Sequence, residues 1–172
     1  LQFDHDGVGV TILSIYDGKS ARGWNSHNGK TTEMSVEELK EIKHSVHASS
    51  LISLVPLLDS TLYELSSAGR VQLEGGPALG VKISRKGFRE AVLFIDEKTF
   101  YMVKLLYVFK DVHVGGEPEL LEIFFSDYKK EDGLTVPSSF KAIHGGKTIA
   151  YGKIVERILS VNTLRPNTFA KP

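Results

Sequence analysis

The chain has 172 residues, about one domain at roughly 150 residues per domain, and is long enough to bury on the order of 70% of its unfolded surface. Its 21 Lys and Arg balance 21 Asp and Glu, so no general electrostatic pull draws it toward nucleic acid or an anionic membrane surface, and a nucleic-acid-binding module is not expected. The sequence contains no cysteine, which excludes a disulfide framework, thiolate-bound zinc, an iron–sulfur cluster and a thiol nucleophile while leaving the compartment open.

The opening run Leu1-Gln2-Phe3-Asp4 carries no initiator Met, basic n-region or apolar core of a signal peptide, and strand-like sequence starts almost at once. The expectation is a single domain over 1–172 that lacks an upstream N-terminal segment. The most apolar stretch, Leu51 to Leu58, is interrupted by Ser53 and Pro56 and falls far short of the ~20 residues of a membrane-crossing helix.

In chain order, Gly7 to Tyr16 reads as a strand, followed by a turn at Asp17-Gly18-Lys19 and a second strand through Trp24. An Asn28-Gly29 turn then leads to a short third strand over Thr31 to Met34. Ser35-Val36-Glu37-Glu38 matches a capping box, which predicts a helix starting at Val36, with Val36, Leu39, Ile42 and Val46 as its apolar stripe. Pro56 prevents the following apolar cluster, Leu51 to Leu58, from being a regular helix interior, so a short irregular helical turn is expected there.

From Thr61 onward, β-like runs alternate with Gly, Pro, Asn and Asp punctuation. The predicted strands are Thr61 to Ser66, Arg70 to Glu74, Ala78 to Ser84, Arg89 to Ile95, Tyr101 to Phe109, Glu119 to Tyr128, Val136 to Ile143 and Thr148 to Val161. With the first three they make about eleven, too many for a flat open sheet. The expected fold is therefore mainly β with one or two helices, a curved antiparallel sheet forming an incomplete (half) barrel. Strict alternation puts Tyr101, Val103, Leu105, Tyr107 and Phe109 on one face of their strand, and Met102, Leu106 and Val108 with Lys104 on the other. Both faces need cover. One helix cannot supply it for the whole sheet, so the sheet either closes over its interior or cups the helical segment and leaves an apolar concavity for a ligand, another chain or the missing N-terminus.

Catalytic signatures are absent from the sequence: it has no HExxH and no Gly-x-Ser-x-Gly elbow. Gly75-Gly76, Gly115-Gly116 and Gly145-Gly146 lie between β-like runs and read as turns, because none opens a helix as a phosphate cradle must. Asp4-His5-Asp6 and the series Glu41, His44, His47 have metal-ligand residue types, but one helix face supplies only part of a coordination shell. No catalytic residue, metal or cofactor is assigned.

Several short motifs occur in order: Ile95-Asp96-Glu97-Lys98-Thr99 after a strand, Asp127-Tyr128 through Gly133-Leu134-Thr135-Val136-Pro137, Asn162, and the terminal Phe169-Ala170-Lys171-Pro172. This order resembles the lipoprotein-localisation superfamily, more narrowly the outer-membrane lipoprotein-sorting (LolA-like) proteins. The Tyr16-Asp17-Gly18-Lys19 turn, Trp24 and the helical segment from Ser35 to Asp59 fit the same layout. The resemblance implies a half-barrel whose apolar concavity holds an acyl chain of a lipid or lipoprotein, a periplasmic or otherwise extracytoplasmic setting, and envelope proteins as possible partners. In that reading Trp24, Leu39, Ile42, Val46, Leu54, Val103, Leu105, Tyr107, Ile123 and Phe125 form the ligand-binding wall. The alternative is a structural or interaction domain of a larger envelope protein, its concavity filled by its own helices.

Overall fold

The structure, a computed structural model, describes residues 2–5, 8–17, 22–112, 117–131 and 133–153. These fall into two compact units whose boundary lies between Lys43 and His44.

The first unit is a four-stranded antiparallel sheet in chain order: β1 (Gln2–His5), β2 (Val8–Asp17), β3 (Arg22–His27) and β4 (Lys30–Glu33). Asn28 and Gly29 join β3 to β4 with φ of 49° and 81°. That pair of positive values is what a two-residue hairpin turn needs and what Asn-Gly supplies at little steric cost. The predicted Asp17-Gly18-Lys19 turn lies largely outside the described residues.

Helix α1 (Val36–Ser50) starts where the capping box predicts. The Ser35 amide donates to Glu38 Oε2 at 2.7 Å, and the Glu38 amide donates to Ser35 Oγ at 3.2 Å. Two otherwise orphaned amides are thereby satisfied reciprocally. Asn25 Nδ2 donates to Glu38 Oε1 at 2.9 Å, so the cap is also tied to β3.

The predicted apolar stripe of α1 is not its buried face. Val36 is 85% exposed and Val46 50%, whereas Glu41, His47 and Ala48 are buried. The reason is visible in the C-terminal half, where His47 stacks on Tyr63 and Phe88 and Ala48 packs into the core, so that these positions rather than Val46 face inward. Two 3₁₀ turns follow, Leu51–Ser53 and Val55–Leu58, with Leu54 between them in the left-handed region. Pro56 sits in the first turn of the second one, where its missing amide costs nothing.

The second unit is built on a seven-stranded antiparallel sheet: β5 (Glu64–Leu73), β6 (Gly76–Ser84), β7 (Ala91–Asp96), β8 (Met102–Phe109), β9 (Glu119–Glu131), β10 (Leu134–His144) and β11 (Lys147–Lys153). The strands lie in chain order, and among the described residues no pairing joins β5 to β11, so the sheet is the open, incomplete barrel that was expected. The eleven described strands differ from the expected set in two places. Thr61 to Ser66 and Arg70 to Glu74 merge into the single strand β5, because a bulge at Ala68 carries pairing with β6 past the Ser-Ala-Gly interruption. The count is restored by β1, a short strand ahead of the predicted ones. The strands also divide between two sheets rather than forming one.

A second bulge decides which side chains enter the core. Phe94 pairs with Lys104 and Ile95 with Met102, leaving Val103 as the extra residue on β8. Before the bulge the alternation is reversed, so Met102 joins Leu105 and Tyr107 in the core, contrary to strict alternation. One cross-strand row, Val81, Leu93, Leu105, Ile123, Ala142 and Ala150, runs through the centre of that face. Ala48, Leu51 and Tyr63 pack on it, with Leu51 and Leu105 both fully inaccessible.

The opposite face carries the row Phe94, Lys104 and Phe124. Lys104 Nζ lies 5.4 Å from the Phe94 ring and 4.9 Å from the Phe124 ring, and it is paired with Glu122. The lysine stem covers aromatic surface while its charge rests on two π faces and the Glu122 carboxylate, so this lysine is part of the patch's packing.

Candidate apolar cleft

The expected ligand-wall residues separate into groups. Trp24 is half-buried on β3 with the Arg22 guanidinium 5.9 Å from its ring, and Leu39 and Ile42 are half-buried on α1. Val46 and Leu54 are 50% and 41% exposed. Leu105 and Tyr107 are sealed in the core, and Ile123 packs against it. Val103 and Phe125 alone among the ten line a cleft of about 500 Å³ at the turn end of the second unit's sheet.

That cleft is assembled from strand ends distant in sequence. Leu73, Glu74, Gly75 and Gly76 come from the β5–β6 hairpin, Asp96 and Thr99 from the β7–β8 turn, Tyr101 and Val103 from β8 and the residue before it, and Phe124, Phe125, Ser126 and Tyr128 from β9. Its lining is mainly apolar and aromatic, and its volume falls in the range of small-molecule sites. Two further depressions border Arg85, where Lys86, Glu64 and Glu90 mix both signs of charge.

The β7–β8 turn is held by one carboxylate. Asp96 Oδ1 accepts the Lys98 and Thr99 amides at 3.1 and 2.7 Å and the Thr99 hydroxyl at 2.8 Å. The hydrogen bonds from Thr99 hold the Asp96 carboxyl below the usual carboxylate range. The Phe100 amide donates to the Asp96 carbonyl at 3.0 Å, and closing the turn this way forces Phe100 to φ 59°. A bulky residue pays a steric penalty there, and the Phe100 ring is 76% exposed, so packing returns little. Phe100→Gly is expected to raise stability by about 1 kcal/mol, since the left-handed conformation costs an L-residue roughly 1–2 kcal/mol and glycine's extra chain entropy takes back part of it. Urea unfolding of the two proteins checks this.

On β9, Asp127 also adopts a positive φ of 53°. Its carbonyl accepts the Ser138 hydroxyl and its carboxylate the Ser139 hydroxyl, both at 2.6 Å. The next residue, Tyr128, donates its hydroxyl to the Met102 carbonyl and stacks on Tyr101 with ring centroids 4.5 Å apart. Burial, with Tyr101 adding to it, pushes the Tyr128 phenol up to about 12, so the ring remains neutral and anchored at any physiological pH. Asp96, Thr99 and Tyr128, quoted above as motif residues, thus meet at one cleft. Tyr101, which alternation groups with Val103, belongs to the same wall, as does Leu73, which only the three-dimensional meeting of strand ends identifies.

The histidines of α1 have packing roles. His44 Nδ1 accepts the Arg89 amide at 3.4 Å. The His47 ring stacks between Tyr63 and Phe88, at 5.8 and 4.1 Å between centroids, and its Nε2 is buried with no hydrogen-bond partner among the described residues. Among the described residues no three His, Cys, Asp or Glu side chains are grouped to hold a metal ion, and no helix is long and apolar enough to cross a membrane.

Comparisons of the chain with protein-family models, curated proteins and solved structures return no match.

Proposed function

We propose that this chain binds the acyl chain of a lipid or lipoprotein, without catalysis and outside the cytoplasm, in the cleft walled by Leu73, Tyr101, Val103, Phe125 and Tyr128. The observation that carries the reading is that cleft: about 500 Å³ of mostly apolar lining in a unit whose core face is already occupied by Ala48 and Leu51. Solvent-facing apolar concavity of this size is the ordinary form of a small-molecule site. The resemblance to lipoprotein-sorting proteins points the same way.

The occupied core face supports a second reading, an interaction domain of a larger envelope protein whose concavity is filled by its own helical segment. Titration with a neutral naphthylamine dye separates the two. The acyl-binding reading expects saturable fluorescence enhancement, lost by at least ten-fold in affinity in Val103→Arg, whose added bulk and charge enter the cleft. Tyr151→Arg, 84% exposed on β11 and outside the cleft, should bind as the parent does. Dye binding that ignores Val103→Arg, or no binding at all, favours the interaction domain.

A further inference from the structure

The charge of the cleft rim narrows the class of amphiphile it accepts, an inference that rests on the acyl-binding reading. Two charged residues line the cleft, Glu74 and Asp96, and both are acidic; among the described residues no Lys, Arg or His is part of its wall. Of the cations outside the wall, Lys98 acts on the Asp96 carboxylate from within the β7–β8 turn, while Lys104 and Arg70 are engaged elsewhere. Lys104 is held by Glu122 and the two phenylalanine rings, and Arg70 Nη2 donates to Glu97 at 2.6 Å. Asp96 Oδ1 accepts the hydrogen bonds from Lys98 and Thr99, while Oδ2 faces the Gly75–Gly76 side of the cleft, 3.8 Å from where a Gly76 Cβ would stand. Glu74 makes no ion pair or side-chain hydrogen bond among the described residues.

The aromatic lining adds to this. The stacked Tyr101 and Tyr128 offer π faces, whose negative quadrupole attracts a cation. A carboxylate or phosphate head seated in this cleft meets two like charges and no cation in the wall itself, whereas an amine or quaternary ammonium head meets complementary potential. We infer that the cleft takes a single-chain amphiphile with a cationic amine head in preference to a fatty acid of the same length.

Displacement of the bound naphthylamine dye from the full chain tests this, using dodecyltrimethylammonium and dodecanoate at submicellar concentrations, low salt and neutral pH. The ammonium amphiphile is expected to half-displace the dye at a concentration at least ten-fold lower than dodecanoate. In Glu74→Gln/Asp96→Asn the gap should close to within about two-fold, and raised salt should narrow it in the parent as screening grows. Asn at 96 retains the turn's acceptor oxygen, so the fold is kept. If Val103→Arg abolishes dye binding but dodecanoate displaces as well as or better than the ammonium, the head-group inference is overturned and the cleft reading stands. If the dye does not bind, or Val103→Arg leaves its binding unchanged, both are overturned.

Discussion

Leu105→Ala is expected to lose about 3–5 kcal/mol of unfolding free energy in urea, among the largest effects of truncating a described residue. Leu105 is fully inaccessible at the centre of the row formed with Leu93 and Ile123, under Leu51. Removing its branched end deletes contacts on every side and leaves a void that the surrounding strands, fixed by their hydrogen-bonded neighbours, fill only in part. Leu105→Arg should not fold at all, because its charge would have no partner or water at that depth. Leu105 is thus a poor position for testing ligand binding, although alternation places it on the wall. A Leu105→Ala protein as stable as the parent would mean that the helical segment does not seat on the sheet as described.

Acid should weaken the same seat through His47. Burial between Tyr63 and Phe88, with the Arg85 and His44 charges adding to it, lowers the His47 imidazole to about 4 from an ordinary value of 6.5. The Arg85 guanidinium lies over both aromatic rings, 5.2 Å from Tyr63 and 4.7 Å from Phe88, so a second positive charge has no welcome there. A folded-state value below the unfolded one means that the unfolded chain takes up the proton first. The His47 contribution is therefore complete above about pH 6.5, declines as the pH falls toward 4, and is flat below that. Between pH 7 and 4.5 the loss should be about 2 kcal/mol. His47→Phe keeps an aromatic ring in the stack and cannot titrate, so its stability should fall by that much less over the same interval. Parallel slopes for the two proteins would overturn the assignment.

Local chemistry made much of this fold readable. The Ser35–Glu38 box fixed the start of α1, and Asn28-Gly29 and Gly145-Gly146, with positive φ at all four residues, marked hairpin turns. What could not be read depended on partners far along the chain. The buried side of α1 is chosen by Tyr63 and Phe88, which reward flat rings at His47 rather than a valine at position 46. The faces of β8 depend on an extra residue that has no local signature: Val103 is β-branched and looks like ordinary strand. The cleft was half visible for the same reason. Tyr101, Val103 and Phe125 follow from apolar alternation, but Tyr128, Leu73 and Glu74 join them only when the strand ends converge.

The bulge at Val103 also separates two inheritances within one strand. With that residue removed, Met102 would precede Lys104 directly, and plain two-residue periodicity would still point Met102, Leu105 and Tyr107 inward. The core is therefore indifferent in phase to the very residue that shapes the cleft wall. Insertions and deletions of one residue, ordinarily ruinous within a strand because they turn it inside out, are at this position a route for redrawing the cavity while the interior keeps its identity.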